Sequence, residues 1–199
     1  MQNKPYAESC DQNRDVILSV IKPLLALSYS VLEIGSGTGQ HALYFSHKLP
    51  HLTWQTSDRN ENIGGIKLWL SDSAQTLPEP IELDVNNNPW PDIDCDAVFT
   101  ANTCHIMNQD SVVAMFSGIG KLLSDGGQFI IYGPFNYNQR YTSQSNEHFD
   151  QWLKSRDPES GIKHFEELNH LAALSNMHLT NDFEMPANNR ILHWVKRGD

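Results

Sequence analysis

The sequence predicts an α/β fold, a mostly parallel seven-stranded sheet with helices on both faces and an antiparallel hairpin at its C-terminal end. Three observations carry this. Short apolar runs alternate with segments of helical spacing from residue 30 onward, a glycine turn follows the first of those runs, and the last two runs are separated by only a short turn at residues 186–189. A turn that short joins antiparallel strands, because parallel neighbours need a crossover of about a dozen residues or more.

Residues 11–27 place Val16, Ile17, Val20, Ile21, Leu24 and Leu25 at helical spacing, with Pro23 a point of kink or restart. Residues 30–34 form the first strand, 35–39 the glycine turn, and 40–49 a helix stopped by Pro50. The second strand alternates over 52–57 and finishes at Asp58; the helix over 60–75 begins weakly because of Gly64 and Gly65. A short third strand at 81–85, a turn-rich stretch at 86–94 and a fourth strand at 97–101 follow. Val112, Met115, Phe116, Ile119 and Leu122 set a helix over 110–123, ended by Asp125, Gly126 and Gly127. After the apolar fifth strand at 128–132, residues 133–145 are polar and aromatic and too long for a tight connection, which predicts a binding loop. Helices over 149–155 and 165–176 flank the turn formers at 157–161. Strands over 179–185 and 191–196 make the closing hairpin.

A chain of 199 residues fits a single domain, 1–199. Its net charge of -10 is spread along the sequence, so nucleic-acid phosphates are disfavoured as partners and a small-molecule substrate is favoured. No apolar run approaches the ~20 residues that span a bilayer, which excludes a membrane helix. Residues 1–15 lack the basic patch and apolar stretch of a secretory signal, so a cytoplasmic enzyme is expected. Cys10, Cys95 and Cys104 are odd in number and widely spaced, which suits a reducing compartment and small apolar roles. The histidines, including His41, His47, His51, His164 and His170, lack paired acids or cysteines, so no metal site is predicted. The five tryptophans read as core or partly buried anchors, and nothing in the composition sets an oligomeric state.

The segment Val31-Leu32-Glu33-Ile34-Gly35-Ser36-Gly37-Thr38-Gly39 turns sharply after a buried strand and lets a ligand approach its backbone. A dinucleotide fingerprint places glycines first, third and sixth, yet here the sixth position from Gly35 is Gln40 and the third glycine arrives early, at Gly39. The Gly-Lys-Ser/Thr of a phosphate loop is absent. Glu33 would repel a pyrophosphate and favour the cationic amino-acid end of S-adenosylmethionine. Asp58, about 20 residues beyond the turn, stands where a nucleotide site of this kind sets an acid against ribose hydroxyls. A helix cap before Asn60 is its alternative.

The motif from Glu33 to Gly39 and the strand order around it resemble class I S-adenosylmethionine-dependent methyltransferases, whose fold is a Rossmann-like sandwich. Along most of its length the chain resembles more particularly the DUF938 family, the methyltransferase-like 26 group. That likeness rests on Asn13-Arg14, residues 31–41, Leu49-Pro50-His51-Leu52-Thr53-Trp54-Gln55 with Ser57-Asp58, Gly133-Pro134-Phe135, and Met185-Pro186-Ala187-Asn188-Asn189. The resemblance implies that Asp84 meets the adenine amino group with Val85 beside the ring; a turn-capping role is the alternative for Asp84. It also implies that Ala101, Asn102, Thr103, Cys104 and His105 face the reacting methyl group. Asn102 then reads as a cofactor contact, and His105 as a general base, a pocket wall or a helix cap. Residues 1–28 become an N-terminal helical lid in which Arg14 pairs with a carboxylate or remains a solvated helix charge. Residues 133–165 become a substrate-side insertion, with Tyr132, Phe135 and Tyr137 toward the acceptor.

The expected activity is methyl transfer from S-adenosylmethionine to a small-molecule acceptor by in-line displacement, with Glu33, Gly35, Ser36, Gly37 and Gly39 on the methionyl part. Two alternatives stand beside it. An NAD-dependent oxidoreductase is disfavoured by Gln40, and a non-catalytic cofactor-binding or interaction module differs only in lacking turnover.

Overall fold

The computed structural model describes residues 4–74 and 76–198. In chain order the elements are α1 (Glu8–Leu24), β1 (Ser30–Ile34), α2 (Gln40–Lys48), β2 (Thr53–Asp58), α3 (Asn60–Leu70), β3 (Ile81–Glu82), β4 (Ala97–Ala101), α4 (Gln109–Leu122), β5 (Gln128–Gly133), α5 (Gln144–Arg156), α6 (Phe165–Leu174), β6 (Met177–Met185) and β7 (Asn189–Lys196). The seven strands form one mixed sheet in the order β3-β2-β1-β4-β5-β7-β6. Parallel ladders join β1 to β2 and β4, and antiparallel ladders join β7 to β5 and β6, as the alternation and the short final turn predict. No helix among the described residues is long and apolar enough to cross a membrane.

The chain groups into two compact units, one running to Phe99 and the other from Thr100. In the first, β1 is buried along its whole length, and Phe45, Trp54 and Phe99 form an aromatic core with ring centroids 5.3–5.7 Å apart. In the second, Phe116, Phe129 and Trp194 pack in the same manner at 5.2–5.8 Å. Trp54 and Trp194 are thus the core anchors expected of tryptophan, whereas Trp152 is 50% exposed.

Several boundaries depart from the sequence reading, each for a local reason. Pro23 falls in the last turn of α1 and does not restart the helix, which begins three residues early at Glu8. Helix α3 runs through Gly64 and Gly65, and a Cβ on Gly65 would stand 2.7 Å from the Pro5 ring, so that glycine admits the N-terminal segment. The same helix stops at Leu70, ahead of residues 71–74, with Gln75 outside the described residues. Strand β3 is only two residues long, because Asp84 turns the chain after Leu83 donates to the Asp58 carbonyl at 2.9 Å. Helix α5 starts at Gln144, capped by Ser143 Oγ accepting from the Asn146 amide at 3.1 Å; its polar surface hid the helical period. The expected binding loop is correspondingly shorter and contains a tight turn, Tyr137 to Arg140, with Asn138 and Gln139 both at positive φ.

Candidate functional site

In the first unit the site is the junction between β1 and α2. Gly35, Gly37 and Gly39 have φ of 69°, 57° and 90°, a backbone region that side chains rarely adopt. Gly39 also lies against α3, since a Cβ there would meet Ile66 Cα at 3.2 Å. The loop is tied to the end of β2. Ser36 donates its amide to the Ser57 carbonyl at 3.0 Å, and the Gly37 amide donates to Asp58 Oδ2 at 2.7 Å. The Gly39 amide turns inward to the Ser36 carbonyl at 2.9 Å.

Asp58 therefore does more than end a strand. Its Oδ1 accepts from the Arg59 amide at 2.8 Å and from Asn62 Nδ2 at 2.9 Å. Arg59, not Asp58, occupies the cap position of α3. Glu33 is 2% exposed, and Trp54 Nε1 donates to its Oε2 at 3.2 Å. Burial raises its carboxyl pKa to about 7, the Asp58 charge adds to the rise, and hydrogen bonds from Trp54 and Ser36 oppose it. Asp84 adopts the turn geometry weighed for it, with Oδ1 accepting from the Asn86 amide at 2.9 Å and from Asn86 Nδ2 at 3.0 Å. Val85 is buried beside it.

The N-terminal segment reaches this loop through Gln40. Its Oε1 accepts from the Ala7 amide at 2.7 Å and from the Thr38 hydroxyl at 3.0 Å, while its Nε2 is buried without a partner among the described residues. Asn13 Oδ1 meets His41 Nε2 at 2.7 Å, and the His41 ring stacks on Phe45. Burial lowers the His41 pKa to about 4. Arg14 bonds Asp11 at 2.5 Å and lies over the Tyr44 ring, with its Nε buried and unpartnered among the described residues.

In the second unit the segment after β4 is anchored by Asn102, whose amide donates to the Tyr132 carbonyl at 2.9 Å and whose φ is 58°. Cys104 to Ile106 then form one short 3-10 turn. His105 is 8% exposed, and its ring meets the edge of Phe149 at 5.1 Å. Burial, aided by the Lys163 charge, lowers its pKa to about 4, so the imidazole is neutral at neutral pH. Tyr132 and Phe135 are buried. The Tyr137 hydroxyl donates to Asp182 Oδ2 at 2.8 Å, its ring stacks on Phe165, and Arg190 holds the other Asp182 oxygen at 2.7 Å.

A family model described as a protein of unknown function, DUF938, matches residues 4–196. The chain belongs to the DUF938 family. Solved structures show what this DUF938 chain is similar to in fold. Human N-acetylserotonin methyltransferase, solved with S-adenosylmethionine, matches with a TM-score of 0.82 at 15% identity over 96% of this chain and 53% of its own. The S-adenosylmethionine-dependent methyltransferase SibL gives 0.81 at 14% identity, over 96% of this chain and 56% of its own. An O-methyltransferase family protein from Burkholderia thailandensis gives 0.77 at 12% identity, over 94% and 59%. The fold is the Rossmann-like methyltransferase fold, and the DUF938 chain spans about half the length of these structures.

Sequence reasoning missed three residues that the DUF938 structure brings forward. Asn62 lies four residues beyond Asp58, a helical spacing that could have marked it as a partner. Gln40 counted only against a dinucleotide, although it latches the N-terminal segment. Lys163, a single cation in the apolar stretch Gly161-Ile162-Lys163, is 8% exposed; nothing in the one-dimensional pattern marks its burial.

Proposed function

We propose that this chain binds S-adenosylmethionine at the glycine loop and transfers its methyl group to a small-molecule acceptor. The observation that carries the reading is the inward use of the loop's amides. Gly37 and Gly39 spend their N–H groups on Asp58 and on the Ser36 carbonyl, so the donors that a dinucleotide pyrophosphate needs are already engaged. Two carboxylates, Glu33 and Asp58, stand at the same loop and disfavour a phosphate while suiting a cationic ammonium and sulfonium. The donor set thus fits this cofactor better than NAD.

Asp58 accepts three N–H bonds, which leaves about one of a carboxylate's four lone-pair positions for a ribose hydroxyl. Glu33, with a pKa of about 7, adjusts its charge to that of the ligand above it. The bound sulfonium supplies an already reactive methyl, so alignment and exclusion of water are the chief tasks left to the protein. When bound, the cofactor would supply the methyl group to the acceptor atom and take back the electron pair of the sulfur–methyl bond. The neutral His105 imidazole takes the proton that the acceptor releases; with a pKa of about 4 it acts as charge develops and not by prior deprotonation.

The test is incubation with methyl-labelled S-adenosylmethionine and a panel of small hydroxyl, amine and thiol compounds. Acceptor-dependent label transfer with release of S-adenosylhomocysteine is expected. Tight cofactor binding without transfer to any acceptor would contradict the enzyme reading and favour a binding module.

A further inference from the structure

Residues 161–165 form a strap across the second unit. The Gly161 amide donates to the His105 carbonyl at 2.9 Å and the Ile162 amide to Asp150 Oδ1 at 2.7 Å. Asn136 and the strap exchange two more bonds at 2.9 Å, from its amide to the Lys163 carbonyl and from the Phe165 amide to its own carbonyl. The strap therefore stitches together the segments that follow β4 and β5 and the middle of α5.

Lys163 is carried on this strap. Its Nζ donates to the Met107 carbonyl at 2.7 Å, using one of three donors, and among the described residues no carboxylate lies within ion-pair distance. The neighbouring Asp150 is already satisfied, because it accepts from Lys154 at 2.6 Å, from the Tyr141 hydroxyl at 2.7 Å and from Ile162. A buried ammonium without a counter-ion is costly, and folded chains keep one chiefly where something else supplies the charge. In a chain of net charge -10 the lack of a partner is not for want of acids.

Two further polar side chains on the same stitched segments have unmet capacity. The Asn136 amide group has no hydrogen-bond partner among the described residues, and its Oδ1 is fully buried. Neither ring nitrogen of His105 has a partner among them. The His105 ring lies against Gly133, where a Cβ would come within 4.0 Å of its Nδ1 and 3.8 Å of the Phe135 ring. An aromatic platform leads away from it: Phe149 stacks on Trp152 at 5.8 Å, and Arg156 lies 4.5 Å over Trp152. Ile106 and Trp152 are exposed, 58% and 50%.

We propose that this cluster is an acceptor site for small aromatic acids, with the ring on Phe149 and Trp152, the carboxylate on Lys163 and the reacting group at His105. The methyl-transfer part rests on the function proposed above; recognition of the acid does not. Lys163 is then a specificity-determining residue, for which a neutral analogue of the same shape leaves the ammonium without its partner.

The experiment titrates the full chain, with S-adenosylhomocysteine present and absent, with hydroxybenzoates and hydroxynaphthoates, each matched to its carboxamide. At least one acid is expected to bind ten times or more tighter than its amide. Lys163→Met should abolish that preference and Lys163→Arg retain it, with circular dichroism and melting confirming that both fold. An absence of any acid preference in the wild-type chain would overturn the proposal whether or not the variants fold, as would a preference that survives Lys163→Met. Cofactor affinity is measured in separate titrations, so a failed cofactor reading and a failed acid site give different results.

Discussion

Replacing Glu33 with Gln removes a buried charge and keeps the shape and an oxygen able to accept from Trp54 Nε1. Burial raises the carboxyl pKa from 4.5 to about 7. The folded state therefore holds the proton more tightly than the unfolded chain. Glu33's favourable contribution is fully present below pH 4.5 and is lost as pH rises through about 7. Linkage puts the loss between pH 5 and pH 8 at about 2.5 kcal/mol. His41, His105 and His193 act in the opposite sense. Burial lowers each to about 4, so their contributions are lost as the solution is acidified below 6.5. Subtracting variant from wild type cancels them. Urea unfolding followed by tryptophan fluorescence should show the variant gaining about 2.5 kcal/mol on the wild type between those two pH values, whatever the fixed effect of the amide. A difference that does not change with pH would refute the buried, partly protonated Glu33.

Three further outcomes follow from the same geometry. Asp58→Ala should weaken S-adenosylmethionine binding by about ten- to a hundredfold in calorimetry, the scale of one charged hydrogen bond, with the fold kept; unchanged affinity would remove Asp58 from the ribose site. Gly39→Ala should lower stability by about 1–3 kcal/mol in chemical denaturation, because its φ of 90° and the 3.2 Å approach to Ile66 leave a methyl group strained. Tyr137→Phe should cost about 1 kcal/mol of stability through the lost Asp182 bond. Acceptor kinetics in the same variant test the substrate-side role: an unchanged KM would make Tyr137 structural, and a raised KM would place it at the acceptor.

The parallel half of the fold was legible because buried strands print continuous apolar runs and the glycine turn has one physical use. Strands β1 and β4 fall where the sequence puts them. The start of α5 was not legible, since its stability comes from the Ser143 cap and a few buried residues and not from an apolar stripe. The short β3 was overread because an Asp that turns the chain looks like the end of a strand. For the candidate site, residue types and spacing brought out Glu33, the glycines and Asp58, and the family resemblance brought out His105. What they could not bring out is tertiary: the Asp58–Gly37 bond, the Gln40 latch and the buried Lys163 each join positions more than 20 residues apart or depend on burial alone.

Calorimetric titration of the purified chain with S-adenosylmethionine, S-adenosylhomocysteine and NAD tests the central claim most directly. Both sulfur ligands are expected to bind at one site, with NAD producing no heat of binding. Saturable NAD binding, with neither sulfur ligand bound, would contradict it.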